Sequence, residues 1–598
     1  MKKDELLALK NKILSLDNKN DIFDLLPHKS VYEYLYARRK DNLNDVAINY
    51  LGRTITYKEL FDKIDNTAKA YYELGVREGD FVTMSMLTTP EAIISFYALN
   101  KIGAVINMTN ILSGLDKLNE QLEKTNSKIL VLNNIFYTND VQKIAHYNNV
   151  EKVITCSLLE SIPIGFIDKT KFNFIERLKS NNRLIDKDDK CIKWNELQQI
   201  GKNSNEEIFS VYNPGEGACI AYTSGSTGNP KGVLATNEAM NAIPFQMELT
   251  EQKIAPNDSI FNTLPTWIFY SLVNNTHEPL CLGVTVDLDP LFNPKNIAKR
   301  LEQYRFNHWN SIPAYVEVMF NNKKVENMDL SFIKTIATGG DYLSKTLEEK
   351  GTEILKKQGS KTHLAQGYGA SEIMGSFGYT YYDDYTVGSV GKPLVGNHYK
   401  IVDLDTSEKL GPNQIGELYL FSPSLMKEYY KDKKETDDVL IKDEDGILWY
   451  RTGDLGHYNE NGELFIDGRL RRIVMATDEN GQPTKIFPEK IKNVILENEL
   501  IEKCEVITVP DPKFIKRPVA YIVLKDGIHF DEAIRKDVDD VCKSMLPGYS
   551  VPAAYEFVDS IPLTKNFKAD ISALEKDYLE KQQINQKNKK MLKIGKRK

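Results

Sequence analysis

Six cysteines in 598 residues, at positions 156, 191, 219, 281, 504 and 542, include no Cys-x-x-Cys pair. That scarcity excludes a disulfide framework and a cysteine zinc site, and it fits a reducing compartment. Long apolar runs are missing too: nothing reaches the roughly 18 residues that a membrane span needs. Residues Met1 to Lys12 interrupt their apolar positions with charge every few residues, which reads as an amphipathic helix and not as the apolar core of a signal peptide. There is no charge surplus either. Lysine and arginine number 77 against 84 acidic residues, a net charge of −7 that gives no attraction to nucleic acid or an anionic membrane. The expectation is a cytoplasmic protein with no nucleic-acid partner and no membrane span. What is present is ordinary for a folded chain, 41% hydrophobic and 27% charged.

Strand and helix signals alternate through most of the length. Thr54-Ile-Thr-Tyr57 opens a helical period through Leu60, Ile64, Ala68 and Tyr71, stopped at Gly75. Phe81 to Met86 reads as a strand, Pro90 to about Lys101 as a helix, and Ile129–Leu132 and Val153–Thr155 as strands. Such alternation implies a mainly parallel sheet with helices on its faces. Residues 165 to 210, rich in Lys, Asn and Asp, read as an irregular surface stretch. Residues 396 to 466 carry short β-rich segments between Gly, Asn and Asp turns, as in a barrel-like subdomain. Beyond Gly468-Arg469 a small α/β unit begins, with helices near 488–498 and 531–545 and strands 504–509 and 520–524. From Lys581 the chain has eight basic residues and no acidic one, read as a solvated tail.

One loop carries chemistry on its face. Tyr222-Thr-Ser-Gly-Ser-Thr-Gly-Asn-Pro-Lys-Gly232 follows the apolar run Ala218–Ala221. Its glycines turn backbone amides inward, Thr223, Ser224, Ser226 and Thr227 add hydroxyl donors, Gly225 and Gly228 give freedom, and Lys231 adds a cation. That combination suits a polyphosphate. It is not a Walker A loop, because Lys231 stands between Pro230 and Gly232. Gly367-Tyr-Gly369 does not open a dinucleotide fingerprint, because Glu372 holds the place of the third glycine.

Further motifs follow in order: Gln366-Gly-Tyr-Gly-Ala-Ser-Glu372, Gly388-Ser-Val-Gly-Lys-Pro393, Gly416-Glu-Leu418, Trp449-Tyr-Arg-Thr-Gly-Asp454, Gly468-Arg-Leu-Arg471 and Pro562-Leu-Thr-Lys-Asn-Phe-Lys568. With the loop they make the sequence resemble the adenylate-forming superfamily of acyl-CoA synthetases and adenylation domains, over roughly residues 30 to 575. The resemblance implies an α/β fold: a large N-terminal domain of parallel-sheet layers over 1–470, including the barrel-like part. A small mobile α+β domain over 471–580 and the basic tail 581–598 would follow. It implies that Gly340, Asp341, Gln366 and Gly367 help bind the nucleotide, with Tyr368 stacked on adenine. Ser371 would donate to the α-phosphate, Glu372 would bind Mg²⁺, and Asp454, helped by Arg469, would hold the ribose. Lys568 would be the catalytic lysine, although Phe567 replaces the usual glycine before it. Arg471 matches the hinge position. The stretch Val474 to Lys485 departs from the family spacing, with Gly481 and Lys485 as substitutes for the usual loop.

The implied reaction is ATP-dependent conversion of a carboxylic acid to an acyl-AMP with loss of pyrophosphate, then transfer to a thiol. The acceptor is coenzyme A, or alternatively the phosphopantetheine arm of a separate acyl or peptidyl carrier protein. A non-catalytic nucleotide-binding homologue is the remaining alternative. The acyl pocket is expected around Leu264–Leu272, residues 308–315 and Gly339, with Trp267, Ile268 and Phe269 either lining it or packing the core. The uncharged aromatic run favours an apolar aliphatic or aromatic acid. Asn274, Asn275 and His277 either form a polar pocket floor or lie on an exposed helix face.

Overall fold

Parallel strands buried on both sides read as continuous apolar runs, and Ile129-Leu-Val-Leu132 is such a run. In the computed structural model it is an inner strand of a sheet, flanked on both sides by parallel neighbours. The structure describes residues 3–161, 181–223, 230–250, 254–525, 527–562 and 569–582, with only the backbone of Lys3 and Arg471. The chain divides into two compact units. The first holds Met1–Leu343, Leu347–Tyr399 and Tyr419–Arg451; the second holds Ser344–Thr346, Lys400–Leu418 and Thr452–Lys598.

The first unit contains two large sheets. An eight-stranded sheet runs, from one edge, Glu428–Tyr429, Gly232–Thr236, Gly217–Tyr222, Val105–Met108, Phe81–Ser85, Ile129–Asn133, Lys152–Cys156 and Cys191–Lys193. Gly217–Tyr222 and the five strands after it are parallel, while the first two are added antiparallel. A nine-stranded sheet runs Lys392–Pro393, Gly375–Tyr379, Leu364–Ala370, Thr335–Thr338, His308–Ser311, Ser259–Asn262, Thr285–Leu288, Val46–Tyr50 and Arg53–Thr56. Its inner strands, from Leu364–Ala370 to Val46–Tyr50, are parallel. One apolar core takes Ile48, Ile260 and Val286 from this sheet and Val82, Ile106 and Cys219 from the other. The helix Pro90–Ile102 passes through that core and is buried at every position. Its ends are set locally: the Thr89 hydroxyl accepts from the Ala92 N–H, Pro90 takes the first turn, and Gly103 closes it at φ 84°.

One expectation needs correction. The stretch 165–210 is not irregular throughout: Cys191–Lys193 is a strand and Trp194–Asn203 a helix. Trp194, Leu197 and Gly201 repeat at helical spacing and are buried, and Gly201 lies so close to the Asn66 carbonyl that a side chain would overlap it. The surrounding Lys, Asn and Asp hide that stripe in the composition. The stretch after Arg471, expected to depart from the family's loop spacing, is a β-hairpin, Val474–Thr477 paired with Pro483–Ile486. The Asp478 carboxylate accepts the N–H groups of Asn480 and Gln482, both at 2.8 Å, and Gly481 takes φ 77°.

The second unit has its own core, in which Ala476, Ile486, Ile491, Ile495, Val506, Ile522 and Val538 meet. Ile501–Asp511 and Ile515–Leu524 form a long antiparallel pair, and Ala554–Phe557 adds in parallel. The helices are Pro488–Leu496 and Glu532–Met545. Asp454–Tyr458 pairs with Leu464–Arg469 in the same unit.

Candidate functional site

Gly217–Tyr222 and Gly232–Thr236, which flank the glycine- and hydroxyl-rich loop, pair antiparallel with Tyr222 opposite Gly232. Ser224, Gly225, Ser226, Thr227 and Gly228 lie outside the described residues. Its base is described: the Thr223 N–H donates to the Lys231 carbonyl at 3.0 Å, and the Lys231 N–H donates back to the Thr223 hydroxyl at 3.3 Å. The two residues are thereby pinned to each other at the loop's mouth. The Lys231 ammonium pairs with Glu435 and lies 4.6 Å from the ring centroid of Tyr429.

Tyr429 arrives there because Glu428–Tyr429 adds as an edge strand beside Gly232–Thr236, placing Tyr429 opposite Val233. Its hydroxyl donates to Glu372 Oε1 at 2.6 Å. Burial, then the adjacent Glu372 charge, pushes the Tyr429 phenol far above its ordinary value. The loop lysine and the carboxylate of Gln366–Glu372 thus meet through one buried phenol. No motif in the sequence singles out Tyr429 or Glu435. Their only signal is the short aromatic run Glu428-Tyr-Tyr430 ahead of a helix, and that does not say which strand it will join.

Gln366 and Tyr368 lie on Leu364–Ala370, with Gln366 beside Thr338 and Tyr368 opposite Gly378. Gly367 and Gly369 allow the strands to close up: a side chain at Gly369 would sit 1.8 Å from the Gly375 carbonyl. Ser371–Ile373 forms a single tight turn that presents Glu372, buried, next to Tyr429. At the end of Thr335–Thr338, the Gly339 N–H donates to the Ser311 carbonyl at 3.1 Å and Gly340 takes φ 81°. Asp341 is exposed and accepts the N–H of Tyr342.

Trp267 and Phe269 are buried in the main apolar core, whereas Ile268 is exposed. The next residues, Tyr270–His277, form a π-helix, a rare geometry that often accompanies functional sites. Asn274, Asn275 and His277 are buried, so the exposed-face reading is withdrawn: wide winding turns all three inward. His277 is a structural residue, its ring nitrogens 3.0 Å from the Tyr97 hydroxyl and 3.0 Å from Asn241 Oδ1. Burial lowers its pKa to about 3.

In the second unit, Asp454 is buried and Arg469 Nε lies 2.8 Å from its Oδ1, because the two residues face each other across a strand pair. The Asp454 N–H donates to the Thr452 hydroxyl at 2.9 Å, and Gly453 takes φ 70° to make that turn. Arg471 lies in the turn Leu470–Arg472, its side chain outside the description. Lys485 on the hairpin pairs with Asp405 at 2.8 Å. Phe567 and Lys568 lie outside the described residues.

Among the described residues no three His, Cys, Asp or Glu side chains cluster as a protein-only metal cage. A single buried carboxylate next to a phosphate loop fits Mg²⁺ all the same, since that ion takes one or two carboxylates and fills its shell with phosphate and water oxygens. Glu372 answers that description.

Lys231, the buried Glu372 reached through Tyr429 and the parallel sheets around them make up the charged site of an α/β protein. The particular class follows from comparison: residues 36–430 match the model of the AMP-binding enzyme family and residues 490–568 that of the AMP-binding enzyme C-terminal domain. The chain belongs to this family of adenylate-forming enzymes. It is 24% identical to a long-chain-fatty-acid–CoA ligase of Bacillus subtilis (strain 168), over 90% of this chain and 93% of that protein. It is 25% identical to 4-coumarate–CoA ligase 3 of Arabidopsis thaliana, over 91% of each. Among solved structures, ATP-bound MatB from Rhodopseudomonas palustris superposes with a TM-score of 0.75 at 20% identity, covering 92% of this chain and 99% of that one. The anthranilate CoA ligase AuaEII with anthranoyl-AMP also gives 0.75, at 19% identity over 93% and 98%. No helix among the described residues is long and apolar enough to cross a membrane.

Proposed function

We propose that the protein activates a carboxylic acid with ATP and passes the acyl group to coenzyme A. The observation that carries this is the Lys231–Tyr429–Glu372 constellation at the base of the polyphosphate loop. The family and its CoA-ligase relatives support it. In the first step a carboxylate oxygen of the acid bonds to the α-phosphorus of ATP, and the bond to the β-phosphate oxygen breaks to release pyrophosphate. In the second a thiolate sulfur bonds to the acyl carbon and AMP leaves. No protein nucleophile is needed, so the chain contributes alignment and charge.

In this reading Thr223 to Gly228 and Lys231 hold the β- and γ-phosphates. Ser371 donates to the α-phosphate and Lys568 neutralises the charge that develops there. Tyr368, Gly340, Asp341, Gln366 and Gly367 bind the adenine side, and Asp454 with Arg469 holds the ribose hydroxyls. Glu372 would hold Mg²⁺, which screens the charge on the phosphates. Trp267, Ile268, Phe269 and Gly339 belong to the acyl-pocket region, and Arg471 is the hinge between a large domain over 1–470, barrel-like over 396–466, and a small rotating domain over 471–580. The setting is cytoplasmic. A carrier-protein phosphopantetheine is the second acceptor reading; the departure of Val474 to Lys485 from the family spacing keeps it open.

ATP–pyrophosphate exchange over a panel of carboxylic acids, with thioester formation assayed with and without coenzyme A, tests both steps. Exchange with at least one acid and a CoA thioester is expected. Exchange with no CoA-dependent product would transfer the proposal to a carrier protein.

A further inference from the structure

Where the π-helix Tyr270–His277 meets the C-terminal ends of the parallel strands, buried polar atoms without hydrogen-bond partners gather. Among the described residues both amide atoms of Asn274, Asn275 Oδ1, Glu278 Oε2, Ser311 Oγ and Gln366 Oε1 lack one. They belong to one neighbourhood. The Asn275 amide nitrogen donates to the Asn310 carbonyl at 3.1 Å, and the Tyr270 hydroxyl to the Ser311 carbonyl at 3.4 Å. Ser311, Thr338 and Gln366 are consecutive neighbours across the strands. Asn274 stands directly over Gly375, where a side chain would come within 1.9 Å of its Oδ1. Glu278 lies four residues on from Asn274. The Asn274 amide draws its proton affinity down somewhat, yet no hydrogen bond of sound geometry joins the two.

Leaving a buried polar atom unsatisfied costs about 1–3 kcal/mol, so native chains keep such atoms few and scattered. Their concentration here, at the strand ends where open α/β sheets bind ligands, marks a binding surface. The chemistry of the set is lopsided. The amide oxygens of Asn274, Asn275 and Gln366 only accept and Asn274 Nδ2 only donates, while the Ser311 hydroxyl and a protonated Glu278 carboxyl can do either, so fixed acceptors outnumber fixed donors three to one. Burial pushes the Glu278 carboxyl to about 8, so near neutrality it is largely the uncharged acid.

We infer that Asn274, Asn275 and Glu278 form the polar end of the acid pocket and select a carboxylic acid bearing an N–H or O–H donor, an amino or hydroxyl group, away from its reacting carboxylate. The inference rests on the proposed acid activation and narrows it. It refines the apolar acid suggested by the aromatic run by adding one polar group, read by Asn274 and Asn275, to an otherwise apolar body.

The test uses the full-length enzyme and ATP–pyrophosphate exchange with matched acids: 4-hydroxybenzoate, 4-aminobenzoate and 4-methylbenzoate, then 6-hydroxyhexanoate, 6-aminohexanoate and heptanoate. A donor-bearing acid should exceed its methyl partner in kcat/KM by on the order of 100-fold or more. The hydroxyl and amino arms decide which donor is read. Asn274→Leu should bring that ratio down to within about threefold while ATP affinity stays unchanged, and Asn274→Ser, the smaller change, should cut it by about tenfold with an unchanged melting temperature. Equal rates for donor and methyl acids, or a ratio that neither variant alters, would overturn the inference. ATP binding without exchange for any acid would overturn the acid-activation reading beneath it, which keeps the two failures apart.

Discussion

At the scale of single residues the loop lysine has a rival for the phosphates. Lys231 is paired with Glu435 and stacked against Tyr429, so a nucleotide must draw it from a carboxylate before using its charge. Removing that competitor should help binding. Glu435→Gln is expected to tighten ATP by about fivefold, roughly 1 kcal/mol, the usual worth of a part-exposed ion pair. Calorimetric titration of ATP checks this, and an unchanged or weaker Kd contradicts the competition. Tyr429 is a positioning residue on the other side of the pair. Tyr429→Phe removes the one hydroxyl donated to Glu372 Oε1, and losing a buried bond to a charged group costs about 1–3 kcal/mol. The Mg²⁺ concentration needed for half-maximal exchange should rise roughly tenfold while the KM of the acid stays put. A parallel loss in both would mean a structural defect. None of this was legible in the sequence. Lys231 and Glu372 stood out because loop chemistry and motif order mark them. Tyr429 and Glu435 matter only because an edge strand from distant sequence adds beside Gly232–Thr236, and no local pattern encodes that partner.

At the scale of elements, legibility followed how local the determinant is. The helix read from Pro90 to about Lys101 runs Pro90–Ile102, and its ends are set by the adjacent Thr89 and Gly103. The helix Trp194–Asn203 was missed because its buried stripe is only three residues wide within a polar stretch. The π-helix was illegible for a different reason: its winding is set by Asn275 reaching Asn310 and Asn262 reaching the Asn275 carbonyl, contacts that periodicity does not reveal. Glycine spacing, by contrast, was visible, and the structure shows its necessity in the hairpin that presents Tyr368 to Glu372. At Gly369 an added methyl would press on the Gly375 carbonyl, and rigid backbone cannot give way as a side-chain tip can. Gly369→Ala should therefore cost about 1–3 kcal/mol and lower the melting temperature. It should also depress exchange more than an equally destabilising change remote from the hairpin. A variant with wild-type melting and exchange would show that the two strands separate freely.

For the whole molecule, buried titratable groups in the first unit set how stability follows pH. Burial raises Glu91 and Asp287 to about 7 and Glu278 to about 8. An unfolded carboxyl releases its proton near pH 4. Between that pH and 7–8 the folded state therefore holds protons that the unfolded state has lost, and stability must fall as pH rises through the window. His277 works the other way. Burial lowers it to about 3, so below about pH 6.5 the unfolded state gains a proton the folded state refuses, and stability falls as pH drops. Between pH 6.5 and 8.5 the raised carboxyls act together with the buried thiols of Cys219, Cys281 and Cys504, which burial also raises, and both favour the lower pH, so lowering the pH across that range should raise the melting temperature. Each carboxyl contributes at most about 1.4 kcal/mol per pH unit. Glu278→Gln removes one such group without changing its size, so its melting curve should depend less steeply on pH from 6.5 to 8.5. At pH 8.5 the variant should gain on the wild type relative to pH 6.5. Thermal unfolding at four or five pH values decides the matter. Parallel slopes for the two proteins would mean that Glu278 is already ionised in the folded state and that a compensating cation lies beside it.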